Sequence, residues 1–320
     1  MPRPVPGSGP WGRPCRHRRS VSCRQPNGTS CIKQPEGVGW ARFHEETERS
    51  PVNAALARLP GRLLGHLAPA AAAALARYLV THPLRRSRRP DPPDAEPVTF
   101  RFGLAGLRWG REGPPVLALH GWEGRAAQFR DLAARLVPMG YRVLALDAPA
   151  HGRSPGRDAD PVVFADALLE AAAELGPVHA VIGHSMGGAS TLLALSRGLD
   201  SARAVTIAAP ASLAGVLARM SRHLGLPEPA RRRFFEAMHR RTGVAPEQLD
   251  VDLLAAGLAP TPVLVVHDRE DPVIPFDDAR RIAAATGAQL LATRGLGHRA
   301  VLKDAGVLQR IAGFVAAPAA

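Results

Sequence analysis

The residues best suited to chemistry form a Gly-x-Ser-x-Gly pattern around Ser185, from Gly183 to Gly187. A mostly apolar run at 178–182 precedes the pattern, and a helix-like stretch at 188–195 follows it. A serine at such a strand-to-helix turn projects its hydroxyl from the apex, and the glycines leave room for the neighbouring elements. The pattern therefore predicts a nucleophilic serine, with an ordinary turn as the alternative interpretation.

A serine hydroxyl is a weak nucleophile and needs a base that is itself oriented by a carboxylate. Asp268 and Asp271 follow the fifth predicted parallel strand, and His298 follows the sixth. Loops at the carboxyl ends of parallel strands gather at one edge of a sheet. We therefore predict that Ser185, His298 and Asp271 meet there as nucleophile, base and orienting acid. Asp268 is the alternative acid.

The negative charge that develops on a substrate oxygen requires two preorganised N–H donors. Met186 follows the serine at the start of a helix, so its backbone N–H is one predicted donor. The second is expected from the loop at 120–124, and we assign it to the N–H of Trp122. This chemistry requires neither a metal nor an organic cofactor, so none is expected.

The elements that must position these residues alternate between apolar strands and helices. An antiparallel pair is predicted at 98–102 and 107–109, and parallel strands at 116–119, 142–146, 178–182, 204–208, 262–266 and 289–292. This alternation predicts an α/β fold with a mostly parallel central sheet, covered by helices on both faces. Helical residues at about 211–258 are too many for an ordinary connection, so they predict a cap inserted after the sixth strand.

Four motifs in order resemble those of the α/β-hydrolase superfamily. They are His-Gly-Trp at 120–122, Asp-Ala-Pro-Ala-His-Gly-Arg-Ser at 147–154, the serine pattern, and the loops of Asp271 and His298. The resemblance spans about 97–317 and is to small serine hydrolases related to esterases, perhydrolases and meta-cleavage-product hydrolases. It favours Asp271 over Asp268, because the family's acid precedes a Val-x-Pro such as that at 273–275. The family usually has glycine at the position of Ala150.

The resemblance implies the α/β-hydrolase fold and a hydrolytic activity. The expected reaction is hydrolysis of an ester, thioester or related acyl bond in a small, partly apolar substrate through an acyl-enzyme. Carbon–carbon bond hydrolysis or acyl transfer on the same residues is one alternative, and a non-catalytic binding protein with this fold is another. Related dehalogenases and epoxide hydrolases carry an aspartate where this chain has Ser185.

Other polar residues near the predicted cleft are interpreted as structural. His120, His151 and His184 are expected to line the cleft or support it rather than act as bases. Asp147 is expected to tie down its own loop. The arginines at 231–233 are interpreted as a solvated helix face, with binding of an anionic substrate group as the alternative.

The net charge of +13 lies largely outside the predicted catalytic domain at 97–320. Residues 1–51 hold nine Lys/Arg and four Asp/Glu, and four arginines stand at 85–89. We expect 1–51 to be a disordered, basic Pro/Gly/Arg-rich segment, and hypothesise that it reflects a misplaced start. Aromatic residues make up only 5% of the chain, so nucleic-acid binding is not expected. A nucleic-acid or anionic-membrane tether is the alternative interpretation of this segment.

Residues 52–96 are predicted to form two short helices, broken at Pro60-Gly61 and at Pro69, and then a linker. Their leucines and alanines are expected to cover part of the core. An interfacial membrane helix is disfavoured here because Trp and Lys anchors are lacking. The apolar stretch at 67–80 is too short to span a membrane and contains Arg77.

The three cysteines, Cys15, Cys23 and Cys31, all lie in the N-terminal segment and do not form a Cys-x-x-Cys pair. Their spacing does not predict a zinc site. The predicted catalytic domain contains no cysteine, which indicates that it has no disulfide framework and fits a reducing cytoplasm.

Overall fold

A computed structural model describes residues 59–84 and 90–318 of the chain. The strands are β1 (Glu96–Thr99), β2 (Ala105–Trp109), β3 (Pro115–Leu119), β4 (Arg142–Leu146), β5 (Ala180–His184), β6 (Ala204–Ile207), β7 (Val263–Asp268) and β8 (Gln289–Thr293). The α-helices are α1 (Leu59–Leu67), α2 (Pro69–Thr81), α3 (Arg130–Leu136), α4 (Pro161–Leu175), α5 (Met186–Ser196), α6 (Leu213–His223), α7 (Glu228–Thr242), α8 (Val251–Leu254), α9 (Phe276–Thr286), α10 (Gly297–Ala300) and α11 (Ala305–Ala316). The predicted N-terminal segment, its cysteines and the arginines at 85–89 lie outside the described residues.

The strands form one sheet in the order β1-β2-β4-β3-β5-β6-β7-β8. β2 pairs antiparallel with β1 and β4, and every pair from β4 to β8 is parallel. β3 and β5 are neighbours, with Leu119 opposite Gly183. The loop after β3 and the turn after β5 therefore lie side by side at one edge of the sheet.

Alternating residues of the central strands enter two different hydrophobic cores. In β3, Leu117 and Leu119 pack on one side of the sheet with α4 and α5, whereas Val116 and Ala118 pack on the other with α3 and α11. All four side chains are fully buried. A strand buried on both faces reads as a continuous apolar run, as this one does. The predicted α/β fold, with helices on both faces of a mostly parallel sheet, is confirmed.

Several element boundaries differ from those predicted. α1 runs through Pro60-Gly61 and breaks only before Pro69. Proline is tolerated there because the first turn of a helix has no intrahelical acceptor for its N–H groups. His298, predicted after the sixth parallel strand, lies in the short helix α10, which precedes the last helix α11. β7 extends to Asp268, so this residue ends a strand and does not lie in the following loop.

The helices α6 and α7 lie between β6 and β7, where the cap was predicted. Arg241 of α7 pairs with Asp158 at 2.5 Å and Asp160 at 2.9 Å, and Arg219 of α6 pairs with Asp278 of α9 at 3.1 Å. These ion pairs join the inserted helices to the loop before α4 and to α9.

The helices α1 and α2 pack on the inserted helices and not on the core of the sheet, contrary to the prediction. Ala73 and Ala76 of α2 form a separate hydrophobic cluster with Phe234 and Met238 of α7. The leucines of α1 are exposed, because α1 turns its glycines toward its neighbours. Within the described ranges, every helix is too short or too polar to cross a membrane.

Candidate active site

Ser185 occupies a strained turn between β5 and α5. Its backbone has φ 54° and ψ −123°, a region that ordinary residues avoid. The turn is held by the Ser185 N–H, which donates to the carbonyl of Ile207 in β6 at 2.8 Å. A Cβ at Gly183 would lie 2.3 Å from the carbonyl oxygen of Gly187, so only glycine fits there. The predicted serine turn is therefore the shape that the chain adopts.

His298 lies between Ser185 and Asp271. Its Nε2 is 3.0 Å from the Ser185 Oγ, and its Nδ1 is 2.8 Å from Oδ2 of Asp271. A carboxylate only accepts hydrogen bonds, so we assign the proton of the neutral imidazole to Nδ1. Nε2 is then unprotonated and accepts from the serine hydroxyl. The structure thus joins three residues from distant parts of the chain through two consecutive hydrogen bonds.

The Asp271 side chain is fully buried and held from two sides. Its Oδ1 accepts from the N–H groups of Val273 at 2.7 Å and Ile274 at 3.0 Å, while Oδ2 faces His298. Burial alone would raise the pKa of Asp271. The hydrogen bonds from His298 and the two N–H groups outweigh burial and hold this pKa below its ordinary value. Asp271 is therefore ionised at neutral pH and keeps the imidazole in one orientation.

Asp268, the alternative acid, serves the loop and not the imidazole. Its Oδ2 accepts from the Thr293 hydroxyl at 2.7 Å and from the Leu296 N–H at 3.0 Å, and its Oδ1 accepts from the Glu270 N–H at 2.9 Å. Asp268 thereby fastens the end of β7 to the loop that leads to His298. The structure brings Asp271, and not Asp268, to the histidine.

The two predicted N–H donors belong to segments next to Ser185. Met186 opens α5, so its N–H has no intrahelical acceptor. Trp122 follows Gly121, whose backbone approaches the serine closely: a Cβ on Gly121 would lie 2.7 Å from the Cβ of Ser185. This approach places the loop after β3 beside the hydroxyl. The side chains of Trp122 and Met186 are partly exposed and pack against the hydrophobic core.

His120 and Asp147 hold the loops around the cleft. The Nε2 of His120 accepts from the Ala148 N–H at 3.0 Å, and its Nδ1 donates to the Gly121 carbonyl at 2.7 Å. Burial lowers the pKa of His120 to about 4, so the ring is neutral at pH 7. Asp147 accepts from the N–H groups of Ala126 and Arg153 at 2.7 and 3.0 Å. Both side chains bond to backbone groups of these loops, as the sequence predicted for supporting residues.

His151 and Ala150 shape the same region. His151 packs against Trp122 and Phe164, each with ring centroids 5.2 Å apart, and its Nδ1 is 2.9 Å from the Pro149 carbonyl. Ala150, where glycine was expected, is fully buried with φ 66°. The turn is thus kept with an alanine in the left-handed region.

Sequence reasoning missed the contacts of two further histidines. His184, beside Ser185, is buried, and its Nε2 donates to the backbone carbonyl of His298 at 2.9 Å. Burial, and then the nearby His298, lower the pKa of His184 to about 3. His267, fully buried, donates from Nε2 to the Ile274 carbonyl at 3.0 Å and lies 3.5 Å from Oδ2 of Asp271. Its position four residues before Asp271 was the only signal in the sequence.

The arginines at 231–233 of α7 lie on its outer side. Arg231 pairs with Glu228 at 2.5 Å, and Arg232 and Arg233 are exposed. In the described part of the chain, His, Cys, Asp and Glu side chains do not gather in groups of three or more that could hold a metal ion.

Comparison with known proteins agrees with this geometry. A model of the alpha/beta hydrolase family matches residues 116–310, which include the serine turn, Asp271 and His298. The chain belongs to the alpha/beta hydrolase family. That membership places it among hydrolytic enzymes.

Similar proteins carry hydrolase names. A serine hydrolase-like protein of Danio rerio is 40% identical over 91 residues, which is 27% of this chain and 28% of the relative. An sn-1-specific diacylglycerol lipase of Xenopus laevis is 40% identical over 84 residues, 25% of this chain and 27% of the relative. Both matches span less than a third of the relative's length. An esterase structure from Pyrococcus furiosus has the same fold, with a TM-score of 0.56, 19% identity, and coverage of 74% of this chain and 97% of that one.

Proposed function

We propose that this alpha/beta hydrolase cleaves an ester, thioester or related acyl bond of a small, partly apolar molecule through an acyl-enzyme. Ser185 is the nucleophile, His298 the general base and acid, and Asp271 the orienting carboxylate. The backbone N–H groups of Trp122 and Met186 stabilise the developing oxyanion.

The observation that carries this proposal is the pair of hydrogen bonds made by His298. Nε2 lies 3.0 Å from the Ser185 Oγ, within the range required for proton transfer, and Nδ1 lies 2.8 Å from an ionised carboxylate. A non-catalytic binding protein with this fold would not need these three residues joined by hydrogen bonds. The serine hydrolase and lipase names of the relatives agree with it.

The reaction follows from the positions of the protons. His298 Nε2 takes the hydroxyl proton as the Ser185 Oγ attacks the substrate carbonyl, and the oxyanion forms beside the two N–H donors. The imidazolium returns the proton to the leaving alcohol or thiol, and an acyl ester remains on Ser185. Water then gives a proton to the same nitrogen and attacks the acyl carbon. The carboxylic acid leaves, and the proton returns to the serine oxygen.

The partly exposed side chains of Trp122 and Met186 support an apolar acyl or alcohol group in the substrate. Met186 follows Ser185 in the chain, Trp122 belongs to the loop whose Gly121 approaches it, and both side chains offer little hydrogen bonding. The substrate is accordingly proposed to present its carbonyl to the backbone and its apolar part to these side chains.

The test is covalent labelling with a fluorophosphonate, followed by turnover of short and medium nitrophenyl esters. Wild-type protein should be labelled once, on Ser185, and Ser185→Ala should not be labelled. Ser196→Ala, on the same helix α5, is the matched control and should behave as wild type. Labelling that persists in Ser185→Ala would exclude the proposed nucleophile, and labelling without ester turnover would direct attention to acyl transfer or carbon–carbon bonds.

A further inference from the structure

The paired helices α1 and α2 bury their small residues and expose their large apolar ones. A Cβ on Gly61 would lie 1.8 Å from the carbonyl oxygen of Leu224, and one on Gly65 would lie 2.2 Å from the Pro227 side chain. The glycine side of α1 therefore sits directly on the loop between α6 and α7. The buried side of α2 consists of alanines, namely Ala72, Ala73 and Ala76. A helix that covers a core normally has the reverse arrangement.

The opposite side of α1 carries a stripe of leucines. Leu59, Leu63 and Leu67 are 43%, 61% and 84% exposed, and their spacing of four residues puts them on one side of the helix. In α2, Leu75 and Tyr78 are 49% and 46% exposed. We call these five side chains the outer leucine face. Exposed apolar residues in such a group mark an interaction surface.

The charge around this face is positive. Arg62 is exposed on α1 and lies beside the leucine stripe, and Arg77 precedes Tyr78 on α2. Arg62 and Arg77 would repel their counterparts in a second copy paired through this face, whereas an anionic surface attracts both.

We propose that the outer leucine face binds an anionic lipid surface, so that the protein attaches reversibly to a membrane. The leucines enter the boundary between headgroups and acyl chains, and Arg62 reaches the lipid phosphates. Tyr78 and Arg77 act as the interfacial anchors that α2 would otherwise lack. The structure thus favours the interfacial helix that the sequence alone disfavoured.

The same helices connect with the candidate active site. The carbonyl of Thr81, the last residue of α2, accepts from the Ala159 N–H at 2.8 Å. The N–H of Leu84 donates to the Glu123 carboxylate at 3.0 Å, and Glu123 adjoins Trp122 in the loop beside Ser185. A lipid surface at α1 and α2 would therefore lie against elements that contact the oxyanion loop.

The test is co-sedimentation of the full chain with vesicles, in the Ser185→Ala background so that no lipid is hydrolysed. One set of vesicles is phosphatidylcholine alone, and the other is an equimolar mixture with phosphatidylglycerol. We expect binding to the mixed vesicles that weakens as salt is added. The double variant Leu63→Gln, Leu67→Gln should bind at least about tenfold more weakly, because two apolar side chains no longer enter the lipid.

Leu253→Gln is the matched control, because Leu253 on α8 is 60% exposed and lies outside the outer leucine face. It should bind as the parent does. The double variant should keep the parent's circular dichroism and unfolding midpoint, since both side chains are already in solvent. Absence of binding at low salt, or equal binding by the parent and the double variant, would overturn the proposal. Concentration-dependent dimerisation that the double variant loses, without vesicle binding, would assign the face to a second copy instead.

Discussion

Replacing Asp271 with asparagine should inactivate the protein by reversing the proton positions on His298. The oxygen of the new amide would stay where Oδ1 is now, because the N–H groups of Val273 and Ile274 need an acceptor there. The amide NH₂ would then face Nδ1 of the imidazole. Two donors cannot share a hydrogen bond, so the ring would move its proton to Nε2. That nitrogen would donate to the Ser185 hydroxyl and could no longer remove its proton.

The expected loss of kcat is about 10⁴-fold, the size seen when a triad histidine is held in the wrong tautomer. It corresponds to about 5.5 kcal/mol of transition-state stabilisation. Asp268→Asn is the matched control, because the Asp268 side chain is equally buried, three residues away, and bonded to Thr293 and the loop N–H groups and not to His298. That variant should lose stability, by about 1–3 kcal/mol, and keep kcat within about tenfold.

Both variants would be compared by the rate of fluorophosphonate labelling, by ester turnover and by urea unfolding. The reasoning requires that Asp271→Asn fail in labelling and turnover while it remains folded. If Asp268→Asn lost more activity than Asp271→Asn at equal folded fraction, the acid would have been assigned to the wrong residue.

Three other perturbations test the surroundings of the site. Gly121→Ala would place a Cβ 2.7 Å from the Ser185 Cβ, so labelling should slow at least about tenfold. Burial lowers the pKa values of His120 and His184 to about 4 and about 3, so below pH 6.5 the unfolded chain binds protons that the folded chain does not. The free energy of unfolding should therefore fall between pH 6.5 and 4, by up to about 1.4 kcal/mol per pH unit for each histidine. Ala150→Gly removes the cost of a left-handed backbone at an alanine. It also removes a buried methyl group and increases the conformational entropy of the unfolded chain. These effects oppose each other, so the free energy of unfolding should change by less than about 1 kcal/mol.

Each of these has its own control. Gly313→Ala, in α11 with open space around it, should leave labelling unchanged. Urea unfolding at pH 7 and pH 5 measures how the free energy of unfolding changes with pH. His120→Asn should make that change smaller. If it did not, His120 would be protonated in the folded protein at pH 5. An Ala150→Gly variant stabilised by several kcal/mol would show that the alanine strains the turn far more than its backbone angles indicate.

The order of amino acids was enough to predict the sheet and to propose which side chains meet at its edge. Strands such as 116–119 are buried on both faces of the sheet, so every residue in them is apolar. Such a continuous apolar run can be recognised in the sequence. Gly183 is required by a local contact, because a Cβ there would lie 2.3 Å from the carbonyl oxygen of Gly187, whereas Gly187 is required by the backbone of Leu119 and His120, which is distant along the chain. Asp271 and His298 could be proposed because parallel strands bring their loops to one edge.

Which side chains meet depends on packing between distant segments, and no local pattern contains that information. The side chains of Asp268 and Asp271 are both buried near the end of β7, and their different partners depend on how β8 and the loop to His298 pack against them. His184 likewise bonds to a backbone carbonyl that is distant along the chain, and His267 bonds to one that a turn brings back to it. The outward leucines of α1 could not be foreseen, because an amphipathic pattern shows that a helix has two sides and does not show which side its neighbours cover. The glycine side of α1 faces inward because close backbone approach to the loop at 224–227 leaves no space for leucine.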